Sequence, residues 1–126
     1  MKKFFVFQIK PKGSYRSWPC WLYAENDIDA RATVDRRLSE SYPNGCEVLP
    51  QLKVFVDPIQ ANNNSPSGLM SALTPADKRD FIEDFLKWRE ENPHTPGRPN
   101  TLDLDVDNER RLMARELQRL QIGSRR

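Results

Sequence analysis

The sequence predicts an α+β fold: a small ββαβ sheet-and-helix platform followed by two C-terminal amphipathic helices. Three observations carry that prediction. Residues 3–9 alternate, with apolar side chains on both faces; Ala30, Val34 and Leu38 repeat at i+4; and the chain changes character at Asn62-Asn63-Asn64-Ser65-Pro66-Ser67-Gly68. The expected organisation is a ββαβ core over 1–57, a polar linker over 58–73, and a two-helix region over 74–126 that packs on the core or in a dimer.

In the first strand Phe5, Phe7 and Ile9 share one face, and Phe4 and Val6 the other. A strand apolar on both faces is a central one, covered from both sides. Lys10-Pro11-Lys12-Gly13-Ser14 breaks it, and residues 20–24 form a second strand, expected to pair antiparallel with the first. Asn26 or Asp27 caps a helix reaching about Ser41, with Asp27 and Asp29 in its first turn, where carboxylates complement the positive end. Pro43-Asn44-Gly45 ends that helix. Residues 46–56 form a third β segment, and Pro50 makes it an edge strand or breaks it.

Leu69, Met70 and Leu73 tack down the linker. Thr74-Pro75 then opens a helix, with threonine at the cap and proline at the first helical position. Its apolar stripe is Phe81, Ile82, Phe85 and Trp88, too broad to remain in water. Asn92-Pro93 closes it, and a proline-rich break containing His94 leads to a last helix over about 107–123.

At 126 residues the chain fits one domain with appendages, and its 37% hydrophobic content places the main core in the N-terminal half. A net charge of +2 is neutral on nucleic acid, but Lys2, Lys3, Lys10, Lys12 and Arg16 precede the first carboxylate, Glu25. The apolar run at the start stops at Gln8, with only Ile9 before Lys10; this is shorter than a secretory core or a membrane span, so no membrane partner is expected. Two cysteines in unrelated contexts, Cys20 and Cys46, suit a reducing cytoplasm and small buried thiols.

The candidate chemistries are weak. Two distant cysteines and His94 do not supply the paired ligand spacing of a structural zinc site. A nucleophilic triad would have to recruit His94 from its loop. Asp103, Asp105 and Asp107 alternate as calcium ligands do, yet Asn108 and Ala114 stand where the calcium loop needs glycine and glutamate. Asp77, Asp80 and Asp84 share one helix face, and such a row is usually a solvated face. The expectation is a non-enzymatic protein with no cofactor, no metal and no catalytic residue.

Two features point to contact. Lys10, Lys12 and Arg16 interleave with Tyr15, Trp18 and Trp21, a pattern that serves a protein interface or, by stacking and phosphate neutralisation, single-stranded nucleic acid. In the last helix Met113, Leu117 and Leu120 form an apolar stripe extended upstream by Val106. Arg111, Arg115 and Arg119 form a separate row spanning ~12 Å. The expected partner-binding residues are thus Lys10, Lys12, Tyr15, Arg16, Trp18, Arg111, Arg115 and Arg119, and the late helices also offer a homodimer surface.

In size, charge interleaving and lack of a catalytic constellation, the chain resembles small phage or mobile-element accessory proteins, anti-CRISPR inhibitors among them. The likeness is one of style and covers no motif. It implies a steric inhibitor of a bacterial defence or nucleic-acid-processing complex, docking on a protein or protein–nucleic-acid partner. Tyr15, Arg16, Trp18 and the arginines of the last helix would then cover a nucleic-acid path or an effector surface. Direct RNA or DNA binding through the same residues is the alternative.

Overall fold

Phe4, Phe5, Val6, Phe7 and Ile9 are all buried, so the first strand is open to water on neither face. The computed structural model describes residues 1–93, 97 and 100–120, and the backbone alone of 121–124. Strands β1 (Lys3–Pro11), β2 (Trp18–Ala24) and β3 (Cys46–Phe55) form one antiparallel sheet in the order β2-β1-β3. Helix α1 (Asp27–Ser41) covers one face. The short α2 (Pro58–Asn64) and α3 (Leu69–Ala72) join the long α4 (Pro75–Glu91) and α5 (Thr101–Ser124) in a layer on the other face. The fold is α+β, with the sheet between two helical layers.

On the α1 face, Phe5, Phe7, Ile9 and Leu22 pack against Ala30, Val34 and Leu38. Asn26 caps α1, its side chain accepting from Asp29 N at 2.9 Å. On the opposite face Phe4, Val6, Trp21 and Tyr23 meet Leu69, Met70, Phe81, Phe85, Leu102 and Val106. Phe81 sits edge-on to both Phe4 (5.1 Å) and Tyr23 (5.5 Å). The stripe of α4 is therefore covered by the sheet and by α5, two of the destinations its breadth requires.

The segment 58–73 is not a bare linker. Asp57 caps α2 by accepting from Ile59 N and Gln60 N, Pro58 occupies its first turn, and Pro58, Ala61, Leu69 and Met70 are buried. The asparagine run looked like loop composition, yet Asn62 Oδ1 accepts from Leu69 N at 2.9 Å and ties α3 to α2. Leu69, Met70 and Leu73 do hold the segment to the core. The last helix also begins earlier than expected, at Thr101 rather than near Asp107. Asn100 Oδ1 accepts from Leu102 N and Asp103 Oδ2 from Asn100 N, a reciprocal cap that the sequence spells as Asn100-x-x-Asp103. Asp103, Asp105 and Asp107 thus lie inside the helix, while Leu102 and Val106 bury its first turns.

Ion pairs and hydrogen bonds hold α4 in place. Asp77, Asp80 and Asp84 each have a partner: Asp77, which is buried, pairs with Arg37 (3.0 Å), Asp84 accepts from the Tyr23 hydroxyl (2.7 Å), and Asp80 pairs with Lys2 (3.1 Å) while remaining exposed. Arg37 belongs to α1 and Asp77 to α4, helices on opposite faces that both touch β2. Their bridge therefore passes around the outer edge of β2. β3 is the other edge strand, and its pairing with β1 is irregular where Pro50 lies: Ile9 faces Val48 but Phe7 faces Leu52.

Phe81 is fully buried, and Phe81→Ala should lower stability by about 3–5 kcal/mol. Urea unfolding that showed a loss below about 1 kcal/mol would contradict the packing described. Burial, reinforced by Asp84, pushes the Tyr23 hydroxyl well above its ordinary range. Because the folded-state value is raised, the stabilisation is fully present below pH ~10 and is lost as pH rises above it. Tyr23→Phe should flatten the alkaline limb of the stability–pH curve.

Candidate interaction surface

The five N-terminal candidates meet at the β1–β2 hairpin. Pro11 O accepts from Ser14 N (3.0 Å) and Gly13 takes φ +86°, the left-handed conformation that a type II turn needs at its third residue. Ser14 Oγ accepts from Arg16 N, and Lys12 N donates to Gly45 O (3.0 Å), which ties the hairpin to the turn before β3. The loop thus has internal bonds and a tether to its neighbour. On it the Tyr15 side chain is fully exposed and Trp18 is 39% exposed. A shallow open depression of about 490 Å³ lies between the hairpin and that turn, lined by Lys10, Lys12, Ser14 and Glu47 among others.

Lys10, Lys12 and Arg16 form no ion pair among the described residues. Glu47 faces Lys10 across the β1–β3 register without forming one. Trp21 does not belong to this surface. It is 6% exposed and stacks on Phe55 with ring centroids 5.8 Å apart, so strand alternation points it into the core.

The C-terminal candidates lie elsewhere. Arg111 pairs with Asp107 one turn before it (2.8 Å), both well exposed, a contact worth little in water. Arg115 and Arg119 are exposed on the part of α5 that runs past the core. Met113 still packs on the core, whereas Leu117 and Leu120 are 61% and 65% exposed. No hydrogen bond, ion pair or ring contact joins Arg111, Arg115 or Arg119 to the hairpin among the described residues. The eight candidates form two surfaces rather than one.

Sequence reasoning passed over Lys53, an exposed cation on β3 without an ion pair among the described residues. Its signal was the alternation of Leu52, Val54 and Val56 around it. Among the described residues no group of three or more His, Cys, Asp or Glu is placed to hold a metal, and no helix is long and apolar enough to cross a membrane. Asp103 bonds Arg89, and the candidate His94 lies outside the described residues. Cys20 and Cys46 are free thiols on the two strands flanking β1. Burial pushes both thiols up, away from the thiolate form that a nucleophile needs.

No protein-family model, curated protein or solved structure matches the chain.

Since the Tyr15 ring touches nothing that folding needs, Tyr15→Ala should leave thermal stability within about 0.5 kcal/mol of the parent. A larger drop in a melting experiment would give the ring a structural role.

Proposed function

We propose that the protein acts by docking, in the cytoplasm, with the β1–β2 hairpin as the leading contact on an acidic face of a macromolecular partner. The observation behind this reading is the fully exposed Tyr15 ring between the unpaired Lys12 and Arg16, on a loop held by its own hydrogen bonds. An aromatic anchor on a loop whose backbone is already held loses less backbone entropy on binding, and with its flanking cations it concentrates affinity in few residues. The second contact is the exposed row of Arg115 and Arg119 on α5, which extends the reach of the molecule beyond its core. Such a protein works sterically, as a phage or mobile-element inhibitor would when covering part of a defence or nucleic-acid-processing complex. No chemistry at the hairpin is required for that action.

Direct binding of single-stranded RNA or DNA is the second reading. It is favoured by the alternation of free cations with the exposed rings of Tyr15 and Trp18, which suits phosphate neutralisation and base stacking together.

The test combines capture with salt dependence. Tagged protein, incubated with host lysate with and without nuclease, should retain a protein partner in both cases. Trp18→Ala should weaken binding of that purified partner at least about tenfold, with a shallow salt response. If only nucleic acid is recovered, and affinity falls steeply with log salt by a slope that Lys12→Ala and Arg16→Ala reduce, the second reading replaces the first. Unchanged binding in Tyr15→Ala, Arg16→Ala and Trp18→Ala alike would remove the hairpin from either account.

A further inference from the structure

Three exposed apolar side chains fall at alternate positions on β3 and its immediate extension. Leu52, Val54 and Val56 are 42%, 45% and 61% exposed, and strand alternation puts them on one face, the face that α1 covers over β2. The cluster beneath α1 reaches Cys46 and Val48 but not Leu52 or Val54. The two edges of the sheet are also unequal. At the β2 edge α1 and α4 are bridged by Arg37 and Asp77, whereas among the described residues β3 has a strand partner, β1, on one side and none on the other. Beyond the irregularity at Pro50, its register with β1 runs regularly from Leu52 to Phe55.

We propose that this edge is a homodimer interface, in which a second copy of the chain pairs antiparallel with β3 about a two-fold axis at Val54. The residue pattern selects both the occupant and the register. With the axis at Val54, that residue faces its own counterpart, and Leu52 faces the second copy's Val56, so all three exposed apolar residues meet one another. Moving the axis to Lys53 sets two ammonium groups directly opposite and puts Val56 against Pro50. Moving it to Phe55 puts Leu52 against Pro58, which is already buried in α2. A self-complementary patch of this kind is what an isologous interface requires. The cross-strand apolar pairs reward the one register, and like charges directly opposite disfavour its neighbour.

The pairing is short. Pro50 with its irregular ladder limits it on one side, and the Asp57 cap of α2 limits it on the other. An interface this small falls under the ~1,000 Å² of stable assemblies, so the dimer is weak and concentration-dependent. This proposal is independent of the hairpin reading, and it places the two-fold contact on the sheet rather than on the apolar stripe of α5.

Cross-linking tests it directly. In the full chain carrying Cys20→Ala and Cys46→Ala, Val54→Cys should form an intermolecular disulfide under mild oxidation, because directly opposed residues bring their Cα atoms to ~4.5–5.5 Å. Leu52→Cys alone should not, whereas Leu52→Cys with Val56→Cys should. In sedimentation equilibrium Val54→Glu, which sets two carboxylates opposite each other, should weaken self-association at least tenfold (~1.4 kcal/mol) with the circular dichroism spectrum unchanged. A chain monomeric at every concentration, equal cross-linking of the Leu52→Cys and Val54→Cys chains, or a dimer abolished by Leu117→Glu but not by Val54→Glu would each overturn the proposal.

Discussion

The double-sided burial of β1 is the constraint on which the rest of the structure depends. A strand apolar on one face needs one covering layer; β1 needs two, and β2, α1 and β3 supply only one of them. The other must come from residues after 57, and Leu69, Met70, Phe81, Phe85, Leu102 and Val106 provide it. A sheet of three strands thereby acquires a core on each side within one short chain. Hydrophobic burial is non-directional, so it brings α4 to the sheet without fixing its orientation. Orientation is set by the polar contacts along α4, where Asp77, Asp80 and Asp84 each meet a different partner.

That arrangement decides which surfaces remain for partners. The Arg37–Asp77 bridge closes helices around β2 and leaves β3 as the open edge. The hairpin keeps its cations free of ion pairs among the described residues and its Tyr15 ring in water. α5 buries Leu102 and Val106, is partly covered at Met113 and is exposed from Ala114 to Leu120. Folding thus uses up the aromatic residues of the inward strand positions, and those left outside sit in the loop and at the strand start.

Much of this was legible in the chain. Alternation placed the faces of β1, the i+4 row of α1 matched its buried side, and Thr74-Pro75 marked the start of α4. Pro50 announced an edge strand with a broken ladder. Composition misled where a polar side chain serves the backbone: Asn62 reads as loop but bonds the amide of Leu69, and Asp103 reads as a residue before a helix but closes its cap. The acidic row of α4 reads as solvated, which Asp80 is and Asp77 is not, because its partners, Lys2, Tyr23 and Arg37, are remote in sequence. For the candidate interaction surface, the sequence picked out the hairpin cations and Trp18 but showed Trp21 only as part of the same interleaved run, and its burial depends on which face of β2 the later helices cover.

Native-state hydrogen exchange across the chain is the most direct measure of whether one core has two sides. Amides of β1 and of α4 should exchange through the same opening, with equal free energies and equal denaturant dependence, because neither can open without exposing the other. If α4 and the first turns of α5 exchange through a lower-energy opening while β1, β2 and α1 remain protected, the sheet and α1 form a self-sufficient unit, and the account of a single two-sided core fails.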